Sequence, residues 1–537
     1  MNALITPLDW TIIGTYLAAL ILLSAWLSRS QHSRGDYYVA GRETGPWPIA
    51  ISIMATQCST NSILGAPAFV AFAAGGGLIW LQYELAVPLA MVLVMVFLLP
   101  LFRSLSLISV YDYLERRFDL PTRLWLSGLF QVLRAFATAV TVYSIALVVE
   151  LISGLSFFWS VVLLGLMTVI YDVMGGIRAV IYSDVIQMVI LVAVLLLLFG
   201  LLLDAIGGPR QLLAGLPEER RTAIDFAHHG LGDGRDFAFW PMLFGGLFLY
   251  VSYYGCDQSQ VQRELCARSV DDGNRALFLN GLLRFPLVLL YCLIGAGLAV
   301  YASAEPGFLA SLPANGDTPN YNLAVPQFML QQLPAGVVGI AMVALFAAAM
   351  SSLDSVINSL SATTMEDFVR RFHAGDSWSD ARELWCSRGL TVAWGVVTLG
   401  MAFHVGDIAD TVLVAINKIG SLINGPVLGV FALGILTRRS NGTGARAGLL
   451  AGFALNLLCW QFLPQLSWLW WNVFGLAATV LVGYGVSRAG ALPAQDLSEL
   501  VWSRARYASF GFTRNWWPRY LVLLGWFAAL LMLLTQF

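Results

Sequence analysis

The amino-acid sequence predicts an all-α polytopic membrane protein with about fourteen transmembrane helices. Of its residues 58% are hydrophobic and only 12% are charged, whereas soluble globular chains have roughly 25% charged residues. Long apolar segments follow one another with no polar linker between domains. Arginine is distributed unevenly between alternate loops. The lipid bilayer is therefore one expected partner, and a net charge of −2 with scattered basic residues gives no indication of nucleic acid.

Each candidate span is a stretch of about 20 mostly apolar residues, the length that crosses a bilayer as a helix. Fourteen such stretches begin near Leu8, Trp47, Trp80, Leu124, Phe157, Val180, Phe237, Leu277, Ala335, Trp385, Thr411, Arg446, Trp468 and Tyr520. Only a few residues separate the spans near Arg446 and Trp468, so thirteen spans is the alternative. The first stretch has no basic region ahead of it and no small-residue cleavage site, so we interpret it as a retained helix.

Basic residues predict the orientation of the spans, because cytoplasmic loops carry an excess of lysine and arginine. Of 30 basic residues, 23 lie in loops that follow odd-numbered spans. Four lie in the opposite loops, all of them between Asp204 and Asp236. We therefore expect a multi-pass protein of the plasma (inner) membrane with both termini on the outer side.

The second span contains seven consecutive polar or weakly polar residues, from Thr56 to Ser62, where polar groups facing lipid would be costly. One interpretation is a kinked helix whose hydroxyls bond to its own backbone or to neighbours. The other is a helix broken at the midplane, whose freed carbonyls coordinate a cation and whose side chains contact a solute. The sequence favours the broken helix.

In the ninth span, Ala348, Ser351, Ser352 and Ser355 recur at helical spacing and share one face. Small residues permit close approach of another helix, which is the simpler interpretation. However, hydroxyl and carboxylate oxygens are what a hard alkali cation requires, and Asp354 is too costly in a membrane to serve packing alone. The pattern favours a cation site.

Asp184 lies in the first turns of the sixth span. A carboxylate inside a membrane is a functional-site hypothesis by default. The alternative is a structural partner for an arginine such as Arg178. Both interpretations stay open at this point.

Three strings of residues resemble the sodium/solute symporter family, which includes the sodium–glucose, proline, iodide and multivitamin carriers. They are Gly-Gly-x-x-Ala-Val-x-x-Ser-Asp-x-x-Gln from Gly175, Asp-Tyr-Tyr-Val-Ala-Gly-Arg from Asp36, and Gln258-x-x-x-Gln262-Arg263. The resemblance runs from about Asp36 to Arg439. It implies a sodium-coupled secondary active symporter, not an enzyme, that imports a small polar solute by alternating access, with Na⁺ as coupling ion and no other cofactor.

The family has a LeuT-type core of two inverted five-helix repeats. The resemblance therefore implies a ten-helix transport core over residues 46–437, with repeats at about 46–204 and 237–437. Residues 1–45 would form a peripheral helix and a cytoplasmic loop, and residues 438–537 would form C-terminal peripheral helices.

Carried over residue by residue, the resemblance implies two cation sites. The shared sodium site would use carbonyls of Ala55, Cys58 and Ala348 and hydroxyls of Ser351 and Ser352. A second cation would be held by Asp184, Asp354 and Ser355. The family often has Ser or Thr where this chain has Asp354, and this added negative charge leaves a second sodium or a proton open, so a proton-coupled carrier of the same fold is the alternative.

The resemblance also implies the residues of a solute cavity and its gate: Gln57, Asn61, Ser62, Glu84, Arg134, Tyr253, Arg284 and Asn417. Glu84 matches a glutamate that binds sugar hydroxyls, and Tyr253 matches an inner-gate tyrosine. Ser62 and Tyr250 depart from the sugar carriers, which have a glutamine and an asparagine there. These two departures argue against a sugar as the transported solute.

Arg134 matters for the other solute class, because an arginine near this position binds the carboxylate of acidic substrates in some relatives. A guanidinium suits a carboxylate through paired donors. The alternative is that Arg134 and Arg284 only neutralise buried acids. A sugar or polyol and a carboxylate thus both remain possible as the small-molecule partner.

Two other function classes fit less well. A transporter-like membrane sensor usually carries a soluble kinase region, and the segment from Arg488 to Arg519 is too short for one. A membrane enzyme would pair a nucleophile with a histidine inside a span, whereas all five histidines lie in loops or at span edges.

Overall fold

The structure is a computed structural model that describes residues 5–58, 61–315, 318–373, 378–405, 409–491, 493 and 495–536. For residues 61, 314, 315, 318 and 409–418 it describes the backbone alone. Within these residues the regular secondary structure is helical except for one small hairpin, in which β1 (Ala314–Asn315) pairs antiparallel with β2 (Thr318–Pro319). The predicted all-α class is confirmed apart from this hairpin.

Up to the loop that precedes the seventh predicted span, the helices are α1 (Pro7–Ser28), α2 (Arg34–Val39), α3 (Pro46–Gln57), α4 (Ala66–Phe72), α5 (Leu81–Glu84), α6 (Ala86–Leu93), α7 (Leu99–Ser104), α8 (Asp112–Arg117), α9 (Leu120–Ser153), α10 (Phe157–Ile206), α11 (Pro209–Gly215) and α12 (Glu218–Arg221). The remaining helices are α13 (Gly246–Cys256), α14 (Gln258–Leu265), α15 (Val270–Ala304), α16 (Pro306–Ala310), α17 (Ala324–Gln332), α18 (Val337–Thr363), α19 (Arg370–Phe372), α20 (Asp380–Ala402), α21 (Ala409–Leu436), α22 (Gly442–Phe462), α23 (Trp470–Ala489), α24 (Arg504–Ala508) and α25 (Trp517–Leu534). Single turns of 3₁₀ or π geometry occupy Ala40–Arg42, Asn61–Gly65, Leu78–Trp80, Val94–Leu98, Pro241–Gly245, Tyr321–Leu323 and Thr364–Val369.

Each of the fourteen predicted segments contains a helix. Among the described residues, eight helices are long and apolar enough to cross a membrane: Pro7–Ser28, Leu78–Ser104, Leu120–Ser153, Phe157–Ile206, Val270–Ala304, Val337–Phe372, Ile419–Leu436 and Trp517–Leu534. These helices confirm a multi-pass helical membrane protein. The count of fourteen and the inverted repeats stay predictions.

The second predicted span is a broken helix. Helix α3 ends at Gln57, and Cys58 leaves helical geometry with ψ of 63°. The chain returns through the π turn Asn61–Gly65 to α4. Among the described residues, the Ala55 carbonyl at this end accepts from the Cys58 N–H. The Thr56 and Gln57 carbonyls accept from side-chain hydroxyls, those of Ser352 and Ser62. The prediction of a broken helix is confirmed.

The fifth and sixth predicted spans form the two halves of α10, which bends at Gly176. This residue has φ of 52° and ψ of −159°, outside the helical region. A Cβ at this position would lie 2.6 Å from the carbonyl oxygen of Tyr37. Only glycine fits both the backbone angle and the close approach, and the bend separates the two predicted spans.

A network of ion pairs joins the segments predicted to be cytoplasmic. Arg34 pairs with Glu366 and Glu383, two acids that also pair with Arg370. Arg123 donates to the buried Asp367. In full, the arginine–carboxylate network contains five arginines and five acids: Arg34, Arg116, Arg123, Arg370, Arg371, Asp112, Glu115, Glu366, Asp367 and Glu383.

Candidate functional site

Oxygen atoms from the end of α3 and the middle of α18 lie together in the protein interior. The Ser351 hydroxyl lies 3.3 Å from the Ala55 carbonyl oxygen and 3.2 Å from that of Ala348. The Ser352 hydroxyl lies 3.3 Å from the same Ala348 oxygen. Four of the five predicted sodium ligands therefore meet at one place.

Cys58, the fifth predicted ligand, lies where α3 ends. Its N–H donates to the carbonyls of Met54 and Ala55, and its buried thiol lies 3.4 Å from the Arg284 guanidinium. Its position at the broken end of the helix is the one from which a carbonyl can serve a cation.

The residues predicted for the second cation form a buried polar cluster. The Ser355 hydroxyl donates to Asp354 Oδ1 at 3.1 Å, and the Tyr171 hydroxyl donates to Asp354 Oδ2. Asp184 accepts from Ser52. Its other oxygen, Oδ1, is buried and has no hydrogen-bond partner among the described residues.

Arg263 lies inside this cluster. Its Nη2 donates to the Ser355 hydroxyl and lies 3.6 Å from Asp184 Oδ2, while its Nε donates to Ser52 at 2.8 Å. Arg178, the partner considered for Asp184 from the sequence, instead donates to Ser30. Arg263 is fully buried, and burial of a guanidinium is tolerated because its donors are paired in this way.

Asp172 contributes a third buried carboxylate beside the cluster. Its Oδ1 accepts from Asn358 at 2.9 Å, and Gln262 in turn donates to Asn358 at 2.8 Å. Its Oδ2 is buried without a hydrogen-bond partner in the described part of the chain. With all three ionised, the carboxylates and Arg263 would carry a formal charge of −2, which a low-dielectric interior compensates by bound cations or by protonation.

Several predicted solute residues are linked through two tyrosines. Tyr254 donates to the side-chain oxygen of Gln57, at the broken end of α3. Tyr250, whose ring centre lies 6.1 Å from that of Tyr254, donates to Glu84 at 3.0 Å. Arg284 completes the chain by donating to the other oxygen of Glu84 at 3.2 Å. Glu84 and Arg284 therefore neutralise each other.

Arg134 makes a different ion pair at the other end of this row of rings. Its Nε donates to Asp257 Oδ2 at 2.6 Å. Its guanidinium lies 5.0 Å from the ring centre of Tyr253, and the Tyr253 ring meets that of Tyr254 edge to face, with ring centres 5.4 Å apart. The Arg134 side chain is 26% exposed, whereas that of Arg284 is 6% exposed.

Two predicted solute residues cannot be placed, because the side chains of Asn61 and Asn417 lie outside the described residues. Ser62 is half-buried and donates to the Gln57 carbonyl at 3.3 Å. The sequence reasoning missed the following site residues: Asp172, Tyr254, Asp257 and the role of Arg263. Arg263 could have been found, since it ends the string that carried the family resemblance.

Comparison with known proteins decides the family. The sequence profile described as "SSF: Sodium:solute symporter family" matches residues 37–452. This chain belongs to the sodium:solute symporter family. The match confirms the resemblance. It also extends past Arg439, the last residue to which the resemblance was traced from the sequence motifs.

Two curated relatives give the range of this symporter's neighbours. The sodium/sialic acid symporter NanT of Aliivibrio fischeri is 29% identical over 89% of this chain and 92% of its own length. The human sodium-coupled monocarboxylate transporter 1 is 30% identical over 82% of this chain and 70% of its own length. Among solved structures, a substrate-bound, outward-open Na⁺-coupled sialic acid symporter aligns with a TM-score of 0.81 at 26% identity, covering 91% of this chain and 99% of that one.

These matches confirm the main functional prediction. The protein is a sodium-coupled symporter of a small solute, and Na⁺ is its coupling ion. Its family and relatives are transporters, which is the class the sequence predicted.

Proposed function

We propose that this symporter imports a small carboxylate-bearing solute and that Arg134 binds the carboxylate. The observation that carries the proposal is the position of Arg134. Its guanidinium rests on the Tyr253 ring, in the row of rings that leads to Gln57, and is partly exposed. A guanidinium presents paired donors that match the geometry of a carboxylate.

The relatives support an acidic solute. NanT is a sodium/sialic acid symporter, and the human protein is a sodium-coupled monocarboxylate transporter. The polyol hypothesis instead needs Glu84 to accept hydrogen bonds from solute hydroxyls. Glu84 already accepts from Tyr250 and Arg284 and is 2% exposed, so it has less capacity for a solute than Arg134 has.

Two cations accompany the solute in this proposal. The first sodium is held by the carbonyls of Ala55, Cys58 and Ala348 and the hydroxyls of Ser351 and Ser352. The second cation is held by Asp184, Asp354 and Ser355. With all three carboxylates ionised, the buried cluster and Arg263 leave a charge of −2, which two cations would neutralise.

The transport core spans residues 46–437, with repeats at about 46–204 and 237–437 that rock around the cations. Peripheral segments at 1–45 and 438–537 flank this core. Both termini lie on the outer side of the plasma (inner) membrane. The excess of arginine in alternate loops supports this orientation, and alternating access in such folds moves one repeat against the other around a central site.

The test is uptake into proteoliposomes under an inward sodium gradient. The solutes are propionate, sialic acid and a neutral polyol such as mannitol. Arg134→Lys keeps the charge but loses the planar pair of donors, so it should raise the KM for the transported acid by tenfold or more, about 1.4 kcal/mol. Arg446→Lys is the matched control, because Arg446 also pairs with a helix-capping aspartate, Asp119, but away from the site.

Sodium-driven uptake of mannitol with no uptake of either acid would contradict the proposal. So would a KM for the transported acid that is the same in Arg134→Lys and in the unsubstituted protein. In the polyol case, Glu84→Gln should be the damaging substitution instead, because the solute hydroxyls would then lose a charged acceptor.

A further inference from the structure

In this structure the carboxylate of Asp257 forms an ion pair with the guanidinium of Arg134. Asp257 lies at the break between α13 and α14, where its backbone is extended with φ of −93° and ψ of 121°. Arg134 belongs to α9. The ion pair therefore ties α9 to the break between α13 and α14.

Resting on the proposed function, we propose that Asp257 is a built-in substitute for the solute's carboxylate, and that the solute displaces it from Arg134. Binding then exchanges one carboxylate for another on the same guanidinium. The exchange also releases the link between α9 and the break between α13 and α14, so that solute occupancy frees these helices to move.

The exchange is feasible because Asp257 keeps other partners when Arg134 leaves. Its Oδ1 accepts from the Ser259 N–H at 2.9 Å and from the Ser259 hydroxyl at 2.5 Å. Asp257 is the N-cap of α14, and a negative charge is stabilised at the N-terminus of a helix. The carboxylate is therefore not left buried without compensation.

Arg134 also keeps a support during the exchange. The Tyr253 ring lies against its guanidinium, and the hydroxyl of that tyrosine accepts from Gln260 Nε2 at 2.7 Å. Cation–π contact uses the face of the guanidinium and leaves the N–H edge for a carboxylate. Both members of the pair are partly accessible, at 26% for Arg134 and 14% for Asp257.

The two arginine–carboxylate pairs of the site differ in how exposed they are and in how many further contacts hold them. Glu84 and Arg284 are 2% and 6% exposed, and each is held by a further contact, to Tyr250 and to the Cys58 thiol respectively. That pair is suited to stay formed. The Arg134–Asp257 pair is the one that a solute entering beside Tyr253 can open.

The experiment is a binding titration of the purified full chain with propionate and with sialic acid at saturating sodium, together with uptake kinetics. Asp257→Asn removes the competing charge, so the apparent affinity for the acid that binds should rise by about tenfold. The gain should depend on Arg134, so Asp257→Asn should raise the affinity less in the Arg134→Lys background than in the unsubstituted protein. Asp257→Glu, which restores a competitor, should return the affinity toward that of the unsubstituted protein.

The matched control is Asp119→Asn. Asp119 is also a helix N-cap paired with an arginine, but it lies at the start of α9 beside Arg446. A general loss of stability would appear in both asparagine variants, whereas the gain in affinity should appear only at position 257. Uptake by Asp257→Asn should show a lower KM, because the solute then no longer competes with the Asp257 carboxylate for Arg134.

Unchanged or weaker binding in Asp257→Asn, in a protein whose acid binding does depend on Arg134, would overturn this inference and leave the proposed function standing. Binding of mannitol and of neither acid would overturn both. Should Asp257→Asn fail to fold, Asp257→Ser keeps an oxygen for the helix cap without the charge, and its affinity is read in the same way.

Discussion

The hydroxyls of Ser351 and Ser352 are the residues on which sodium coupling is most directly testable. Each lies within hydrogen-bonding distance of a helix carbonyl that is itself a proposed sodium ligand. Ser351→Ala and Ser352→Ala should each raise the sodium concentration for half-maximal uptake several-fold, because each removes one oxygen ligand. Folding should change little, since alanine fits a face of small residues.

The control for this pair is Ser359→Ala on the same helix. Ser359 is fully buried, and within the described part of the chain its hydroxyl bonds only to the Val356 carbonyl one turn earlier. The proposed first sodium site would be wrong if the sodium concentration for half-maximal uptake were the same in Ser351→Ala, Ser352→Ala, Ser359→Ala and the unsubstituted protein.

Asp354 is the residue whose substitution tests whether one or two cations bind. Its carboxylate accepts from Tyr171 and Ser355 and lies in the cluster that contains Asp184 and Arg263. If two sodium ions bind cooperatively, Asp354→Ser should lower the Hill coefficient for sodium toward one. A coefficient of one already present in the unsubstituted protein would instead favour a proton at this cluster, measured as acidification of the liposome interior during uptake.

At the scale of helices, the bend of α10 at Gly176 is the feature that a single substitution can probe. Gly176→Ala should lower the free energy of unfolding by at least 1–2 kcal/mol, because a non-glycine residue is strained at positive φ and the new Cβ would collide with Tyr37. Thermal unfolding in detergent measures the loss.

Gly200→Ala in the same helix provides the comparison. A Cβ at Gly200 meets nothing within 4 Å, so this variant should be unchanged or more stable by about 0.5–1 kcal/mol. Equal stability of the two variants would mean that α10 does not depend on the bend.

Local patterns predicted the helices well and the polar network only in part. The broken helix after Gln57 and the small-residue face of α18 were visible because each is a run of polar residues in an apolar segment. The pair of Arg134 and Asp257 was not visible, because its members lie 123 positions apart and meet only in the folded chain, where α9 comes near the break between α13 and α14. Asp172 was missed for the same reason, since its partner Asn358 lies on another helix.

For the whole molecule, the dependence of stability on pH should follow from Glu264. It belongs to α14, outside the candidate membrane spans, and is 1% exposed. Neither of its carboxylate oxygens has a hydrogen-bond partner among the described residues. Burial raises the pKa of Glu264 well above its ordinary value, so the folded chain holds this proton more tightly than the unfolded chain does.

The sign follows from this difference. The stability contributed by the proton is fully present below the unfolded pKa and is lost as the pH rises toward the folded pKa, by about 1.4 kcal/mol for each pH unit in between. Unfolding temperatures measured between pH 6 and pH 9 should therefore fall in the unsubstituted protein and fall less in Glu264→Gln. The exposed Glu499 gives the control, because the unfolding temperature of Glu499→Gln should fall with rising pH in parallel with that of the unsubstituted protein. A parallel fall in the unfolding temperature of Glu264→Gln as well would contradict the prediction.

The arginine–carboxylate network has a consequence for how the chain reaches its final state. During synthesis, Arg34 and Arg123 emerge before Glu366, Asp367 and Glu383 exist. In the predicted orientation, Arg34 then still lacks both of its carboxylate partners and counts toward the positive charge that holds its loop on the cytoplasmic side. Once the later acids have been made, Arg34 pairs with Glu366 and Glu383, and Arg123 gains Asp367 as a partner. In the predicted orientation, a charge that directs insertion thus becomes part of an ion pair in the finished protein and no longer adds an uncompensated positive charge to that face.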